Sequence, residues 1–242
     1  MSRWPDAAAR SALGAYRTAP PGDRVHVWVR WLSCPFPPVV DVLPASGQVL
    51  EVGCGHGLFS GYLARRSPAL RVLGVDIDAD KIVVATAAAA PDRGRLDFAV
   101  ADSGSVPEGP WDAVVLVDVL YLLDEARQRA LLESCAAVLA PGGVLVVKDM
   151  ATRPRWKARW NAVQEALSVR VLGITAGSRE FAFVEPDERA RWMVAAGLRD
   201  VRARRLDRGR VHPHHLLVGR APGGVAGPAD ARTETAVDTV AR

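Results

Sequence analysis

Short apolar runs alternate along the chain with stretches in which apolar residues recur at helical spacing. Five runs of strand length are predicted, at 49–52, 71–75, 96–100, 111–117 and 144–147. Helices are predicted between them at 58–65, 79–90 and 125–139. Continuous apolar runs separated by helices indicate buried parallel strands joined by crossover helices. Because such crossovers are right-handed, the pattern predicts an α/β fold with a doubly wound sheet and helices on both faces.

The pattern changes after residue 184. A helix is predicted from Pro186 to Gly197, and two further strands follow at 198–206 and 214–218. A short turn around Gly209 separates these strands, so we expect an antiparallel hairpin. The complete sheet is therefore predicted to have seven strands, mostly parallel, with the antiparallel hairpin at the C-terminal end.

Three segments lie outside this alternating core. Residues 1–44 contain two predicted helices, the second capped by Asp23, and then a proline-rich connector or kinked helix start. We expect these residues to form a helical lid and 151–184 to form an additional cover segment around a domain that spans 45–220. Residues 221–242 are rich in Ala, Gly, Thr and charge without periodicity, which predicts a disordered tail.

Composition narrows the class of protein. The 242 residues carry a net charge of +4 and are 49% hydrophobic, which excludes wholesale disorder. No apolar run approaches the roughly 18 residues of a membrane span, so none is expected. Three scattered cysteines cannot form a disulfide framework and suggest a cytoplasmic protein. The small charge excess gives no reason to expect nucleic-acid binding.

The sharpest motif follows the first strand. Gly53, Gly55 and Gly57 alternate between that strand and the next helix, and glycines there let a ligand approach the backbone. The second strand ends in Asp76, about 20 residues on, where an acidic side chain can accept hydrogen bonds from the ribose of a nucleoside cofactor. Since both features lie at the carboxyl edge of the sheet, that edge is the predicted ligand site.

The run LEVGCGHG, followed by GVDID, closely resembles the cofactor loop of class I S-adenosylmethionine-dependent methyltransferases. The segments VADS, WDAVVLVDVLYLL and LAPGGVLVVKD agree with the same family in order. The resemblance covers about 48–220. It implies a Rossmann-like fold and S-adenosyl-L-methionine as the cofactor, but it does not identify the acceptor of the methyl group.

The resemblance also assigns cofactor-binding residues. They are Glu51, Gly53, Gly55, Gly57, Asp76, Ile77, Asp102, Ser103 and Asp118. Glu51 and the glycines would contact the methionine part, and Asp76 the ribose. Ile77 would pack on the adenine, with Asp102 and Ser103 beside its amine. Asp118 would lie near the sulfonium.

An oxygen acceptor of high pKa would need a general base. The candidates are Asp118, Asp149 and His26. Asp149 is equally compatible with a cap of the following helix, and His26 with an ordinary surface histidine. No metal site is expected, because the histidines at 212–215 have no Cys, Asp or Glu cluster beside them.

The acceptor is predicted to be a small, hydrophobic or natural-product-like molecule. The Asn-Pro-Pro-Tyr-like tetrapeptide of DNA-adenine and protein-glutamine methyltransferases is replaced at 118–121 by Asp-Val-Leu-Tyr, which argues against a nucleobase or amide acceptor. The two cover segments hold most of the aromatic residues, although burial of the cover helices would explain them equally well. The predicted acceptor-binding residues are Tyr16, His26, Tyr121, Trp156 and Trp160.

Two other functions stay open at this point. The chain could bind the cofactor for a reaction other than methyl transfer, or for regulation. Arginine-rich stretches also make an RNA methyltransferase a third hypothesis. The sequence leaves open whether oxygen, nitrogen or carbon is methylated, and whether the protein is a monomer or a homodimer.

Overall fold

A single mixed sheet of seven strands organises the protein. The computed structural model describes residues 4–150, 182–206 and 214–223. The strands are β1 Gly47–Val52, β2 Leu70–Asp76, β3 Leu96–Val100, β4 Trp111–Val117, β5 Leu139–Met150, β6 Arg199–Arg205 and β7 His214–Arg220. Their order across the sheet is β3-β2-β1-β4-β5-β7-β6. The order of the strands along the chain reverses between β1 and β4, and open α/β sheets bind ligands at such a position.

Strand pairing confirms the predicted sheet. The first five strands pair in parallel, with Val52 of β1 opposite Leu116 of β4. The last strand, β7, is antiparallel to both β5 and β6. The fold is therefore the Rossmann-like arrangement expected from the sequence.

Helices cover both faces of this sheet. They are α1 Ala7–Gly14, α2 Pro21–Ser33, α3 Pro37–Val40, α4 Leu58–Arg66, α5 Ala79–Ala88, α6 Glu125–Ala137 and α7 Pro186–Ala195. Alternate residues of β4 contribute to two separate cores, as strand geometry requires. Ala113 and Val115 pack on the side that includes α1 and α4. Val114 and Leu116 pack with residues of α6 and α7 on the other side.

Three local details differ from the sequence-based expectations. Strand β5 begins at Leu139, before the predicted run at 144–147. Leu139 pairs with Trp111, and an irregularity separates that pair from the regular pairing that resumes at Val144. Asp23 does not cap α2. That helix begins with Pro21 at its first position, and Asp23 lies in the first turn. The proline-rich stretch contains the one-turn helix α3.

The N-terminal residues pack as part of the main core. Leu13, Tyr16 and Phe36 are buried in the same cluster as residues of the sheet and α4. The expectation of a helical lid at 1–44 therefore stays a prediction, and any such lid would share the core of the main domain. Within the described ranges, no helix is long and apolar enough to cross a membrane.

Several predicted features fall outside the described residues. They are Trp156, Trp160, the hairpin turn at 207–209, the histidine at 212, most of the cover segment 151–184 and the tail from 224 onward.

Candidate functional site

The loop after β1 contains glycines in the left-handed region. Gly57 has φ +74°, and a Cβ there would come within 2.4 Å of the Phe98 ring. Gly55 is also left-handed, at φ +54°, but the nearest atom to a Cβ there is Lys81 Cδ at 4.0 Å. Gly57 is therefore required by internal packing, whereas Gly55 is half-buried and is not crowded by its neighbours.

Asp76 is fixed against this loop at the end of β2. Its Oδ2 accepts a 2.7 Å hydrogen bond from the Gly55 amide, and its Oδ1 accepts from the Asp78 amide at 3.0 Å. These bonds orient the carboxylate while each oxygen keeps a further lone pair. Ile77 follows and is 46% exposed, so its side chain is available as an apolar surface beside the carboxylate.

The predicted adenine-binding residues lie on the next strand connection. The Ala101 amide donates to the Asp76 carbonyl at 3.0 Å, which brings the segment after β3 to the end of β2. Asp102 and Ser103 follow Ala101 directly, and both are exposed. The structure therefore places them at the same edge as Asp76.

Glu51 is buried beneath the glycine loop. Its Oε2 accepts hydrogen bonds from both the amide and the hydroxyl of Ser60, on the first turns of α4. Burial raises the pKa of Glu51 to about 7, despite these bonds. A cationic group bound beside Glu51 would favour its ionised form, so the residue suits the amino group of a methionine moiety.

Asp118 stands at the end of β4 between two cations. Lys148 Nζ contacts its two carboxylate oxygens at 2.6 and 2.7 Å, and Arg30 Nη1 contacts Oδ2 at 2.5 Å. The residue has φ +58°, a strained conformation for a non-glycine residue. The two cations hold the pKa of Asp118 well below its usual range despite burial. This environment opposes the predicted role of Asp118 as a general base.

Asp149, at the end of β5, lies in a different environment. Its Oδ2 is 2.8 Å from Arg189 Nη1, and its Oδ1 accepts from the Met150 amide. Arg189 is in turn held by Gln128 Oε1, with nitrogen-oxygen distances of 3.1 and 3.2 Å. Burial outweighs the attraction of Arg189 and raises the pKa of Asp149 to about 6. Asp149 is therefore better suited than Asp118 to take up a proton near neutral pH.

Residues of the N-terminal segment contact the glycine loop. The Tyr16 hydroxyl donates a 2.6 Å hydrogen bond to the His56 carbonyl. The rings of His26 and His56 lie 4.8 Å apart, and His56 Nε2 is 3.1 Å from Asp23 Oδ1. Burial and the neighbouring His56 lower the pKa of His26 to about 4, so His26 is neutral at pH 7.

Helix α2 turns both apolar and polar residues inward. Val27 and Trp31 are buried in the core that includes α1 and α4. Asp23, His26 and Arg30 contact the loop and the β4 end. The outer side carries four apolar residues that are 48–64% exposed: Val25, Trp28, Val29 and Leu32. The inward face of α2 therefore serves the hydrophobic core and the site together.

Tyr121 is the remaining described candidate for acceptor binding. It follows β4 and is 7% exposed, and its ring stacks on Phe183 with a centroid distance of 5.9 Å. Burial and the Asp118 carboxylate raise the pKa of its hydroxyl, whereas Arg30 acts in the opposite direction. The predicted Trp156 and Trp160 cannot be placed, since they are outside the described ranges.

The sequence analysis did not identify four residues that contribute to this edge of the sheet. Arg30, Lys148, Arg189 and Ser60 make its main polar contacts, but nothing in their spacing marks them. The one available signal was Lys148, one of only three lysines, which interrupts an apolar strand. A charged residue within a buried strand indicates a charge partner, which here is Asp118.

Comparison with known proteins agrees with this geometry. Residues 49–143 match a family model described as a methyltransferase domain. A relative from Xylella fastidiosa (strain 9a5c), named ubiquinone biosynthesis O-methyltransferase, is 31% identical over 168 residues. That alignment covers 64% of this chain and 63% of the relative, so the chain spans less than two thirds of the curated relatives it matches.

Solved structures share the fold. An O-methyltransferase family protein from Burkholderia thailandensis superimposes with a TM-score of 0.63 at 22% identity, covering 93% of this chain and 66% of the other. The [4+2]-cyclase SpnF superimposes with a TM-score of 0.60 at 17% identity, covering 78% and 81%. The family model, the ordered sequence motifs and the fold agree in their similarity to class I S-adenosylmethionine-dependent methyltransferases.

Proposed function

We propose that this protein binds S-adenosylmethionine at the carboxyl edge of its sheet and transfers the methyl group to a small, hydrophobic or natural-product-like acceptor. The observation that carries the proposal is the left-handed glycine loop, whose Gly55 amide donates a hydrogen bond to the oriented carboxylate of Asp76. A backbone that a ligand can approach, beside an oriented acid, is what a nucleoside cofactor needs. The sequence resemblance assigns the same residues to the cofactor.

The described residues fit each part of that cofactor. Asp76 has free lone pairs for the ribose hydroxyls, and Ile77 offers an apolar surface for the adenine. Asp102 and Ser103 would accept and donate at the adenine edge. Glu51, buried below the loop, would pair with the methionine amino group.

The protein's part in the reaction is positioning and exclusion of water. When bound, the cofactor supplies an electrophilic methyl group on a sulfonium. Tyr16 holds the glycine loop by its carbonyl, and α2 lies across the ends of β1 and β4 through its contacts with His56 and Asp118. Charge is dispersed when a methyl leaves a sulfonium, so a site with little water favours the reaction.

Asp149 is the proposed proton acceptor for acceptors that must be ionised. Its pKa of about 6 allows it to be ionised at neutral pH and still to take up a proton. His26 is neutral at that pH and remains a second candidate. Asp118 is assigned to holding Arg30 and Lys148 beside the cofactor.

The names of the relatives support a small-molecule acceptor. The Xylella protein is named for the biosynthesis of ubiquinone. Buried Tyr121 stacked on Phe183 gives an aromatic surface near Asp149, which fits a flat apolar acceptor. We propose a cytoplasmic location from the cysteine usage.

Calorimetry with S-adenosylhomocysteine tests cofactor binding. Asp76→Ala should weaken binding by about 1–3 kcal/mol, because charge-assisted hydrogen bonds to the ribose are lost. Asp97→Ala removes an exposed aspartate of β3 and serves as the matched control, with unchanged affinity. If wild-type protein does not bind at millimolar concentration, or if both variants bind like wild type, the proposed site is wrong.

Analysis of the sulfur product separates methyl transfer from other uses of the fold. Turnover should yield S-adenosylhomocysteine together with a methylated acceptor. Formation of methylthioadenosine would indicate transfer of another group. Acceptor conversion with unchanged cofactor would indicate a reaction in which the cofactor is only bound.

A further inference from the structure

The cluster around Asp118 contains one more positive charge than negative charge. Lys148 is fully buried and binds both Asp118 oxygens, and Arg30 binds Oδ2 of the same carboxylate. Arg30 Nη2 also donates to the Val117 carbonyl at 3.0 Å. Two cations therefore share one carboxylate.

Once the cofactor is bound, the other described groups around this cluster leave the charge unbalanced. Asp149 is paired with Arg189. The Cys34 thiol beside Lys148 stays neutral because burial raises its pKa to about 11, and burial likewise raises the pKa of the Tyr121 hydroxyl. Glu51, whose buried carboxyl has a pKa of about 7, is reserved for the cofactor in the proposed function. Because an unmatched buried charge is costly, the surplus suits an anionic ligand.

Arg30 is the cation that such a ligand can reach. The Lys148 side chain has no solvent exposure, whereas that of Arg30 is 31% exposed. A guanidinium can also hold an oxygen anion while it keeps other hydrogen bonds, since it has five donors. The surplus positive charge is therefore accessible through the guanidinium of Arg30 on α2.

The position of Arg30 connects it to the cofactor loop. Asp118 ends the strand that pairs with β1, and β1 leads directly into the loop. One helical turn before Arg30, His26 packs on His56 of the same loop. The Arg30 guanidinium therefore lies between the loop and the end of β4, on the same sheet edge as the proposed cofactor site.

We infer that the acceptor binds as an anion, with an ionised oxygen held by Arg30, and that this oxygen receives the methyl group. The inference rests on the proposed methyl transfer. The hydroxyl proton leaves for solvent or for Asp149 before transfer. The oxygen lone pair then forms the new carbon–oxygen bond, the carbon–sulfur bond breaks, and its electron pair stays on sulfur.

The charges explain turnover as well as binding. An anionic oxygen and a sulfonium become a neutral ether and a neutral thioether, so the product no longer balances Arg30. The protein should therefore bind the ionised acceptor more tightly than its methylated product. This preference favours product release.

The test uses a chromophoric phenol and its methyl ether. 4-Nitrophenol absorbs visible light only when ionised, and 4-nitroanisole is its neutral counterpart of nearly the same shape. Both are titrated into the full chain saturated with S-adenosylhomocysteine. We expect the anion to bind at least about tenfold more tightly than the ether, and the apparent pKa of the bound hydroxyl to fall by about 1 or more.

Two variants and a control variant measure the contribution of Arg30 to anion binding. Arg30→Gln should remove both the preference and the fall in hydroxyl pKa, and Arg30→Lys should retain part of each because it keeps the charge. Arg24→Gln changes an exposed arginine on the same helix and should behave like wild type. Melting curves of all variants show whether each is folded, and the comparison of anion with ether in wild-type protein does not depend on any variant.

The outcomes are distinct. Failure of S-adenosylhomocysteine to bind contradicts the proposed function itself. With that ligand bound, equal affinity for phenol and ether, no binding of the phenol, or an unchanged preference in folded Arg30→Gln protein each overturns the inference.

Discussion

Replacing Glu51 with glutamine should stabilise the protein without cofactor at high pH and weaken cofactor binding. Burial raises the pKa of the Glu51 carboxyl from 4.5 to about 7 in the folded protein. Between these values the folded state holds a proton that the unfolded state has released, so stability is lost as pH rises. The difference of about 2.5 corresponds to about 3 kcal/mol at pH 8, and to under about 1 kcal/mol at pH 5.

The expected signature of Glu51→Gln is therefore a pH-dependent gain in stability. Glutamine keeps an acceptor for Ser60 but weakens that bond by roughly 1 kcal/mol at any pH. At pH 8 the net gain should be about 2 kcal/mol, or roughly 4–8 °C in Tm for a chain of this size. At pH 5 the gain should vanish.

Thermal unfolding of wild-type, Glu51→Gln and Glu133→Gln proteins at both pH values measures this effect. Glu133 is an exposed carboxylate on α6 and should show no pH-dependent gain. Calorimetry at pH 8 should show weaker binding of S-adenosylhomocysteine to Glu51→Gln, since the partner of the amino group has lost its charge. A Tm difference that is the same at pH 5 and pH 8 would refute the assignment of a buried carboxyl that resists ionisation.

Three further predictions concern the other groups of the site. Lys148→Met should cost about 3–5 kcal/mol in urea denaturation, because it removes the principal partner of buried Asp118. Adding Asp118→Asn, which tolerates φ +58°, should recover much of that loss, and strictly additive effects would contradict the pairing. For turnover, kcat/KM should fall below pH about 6, and Asp149→Asn should remove that dependence as well as most activity; an unchanged profile excludes Asp149 as the base. Tyr16→Phe should destabilise the protein by about 1 kcal/mol and weaken S-adenosylhomocysteine binding severalfold, whereas Tyr62→Phe, which loses a bond to Asp6, should affect stability only.

The sheet was predictable because its strands are marked by uninterrupted apolar runs. The predicted bounds of β3 and β4 coincide with those observed. The early part of β5 was not predictable, since Pro141 and two glycines are typical of a turn. Leu139 pairs with Trp111, regular pairing with β4 resumes at Val144, and Pro141 and the glycines lie in the irregularity between the two. Pairing with β4 therefore extended β5 beyond its apolar run.

The residues expected to bind the cofactor could be predicted for a similar reason. Local sequence determines the loop, because Gly57 must be glycine to fit against Phe98 and Asp76 must follow β2. The charged cluster around Asp118 depends on contacts between residues far apart in the chain. Arg30 and Asp118 meet across 88 positions, and no periodicity encodes that encounter.

The orientation of α2 shows the same limit. Val27 and Trp31 pack in the core, as expected of apolar residues. Four other apolar residues of the helix are exposed, while Asp23, His26 and Arg30 turn inward. Polar residues can face inward only where other elements supply hydrogen-bond or charge partners. Here those partners belong to the glycine loop and to the end of β4. Sequence periodicity gives a helix its two faces without showing which of them the protein covers.

Transfer of a labelled methyl group tests the central claim most directly. The purified full chain is incubated with trideuteromethyl S-adenosylmethionine and a panel of small phenols, aromatic amines and enols, and the products are analysed by mass spectrometry. The account predicts S-adenosylhomocysteine and a labelled methyl ether in equal amounts, with both reduced at subsaturating cofactor in Asp76→Ala and unchanged in Asp97→Ala. Label on nitrogen or carbon with none on oxygen would contradict the anionic oxygen acceptor, and cofactor binding without any labelled product would contradict methyl transfer.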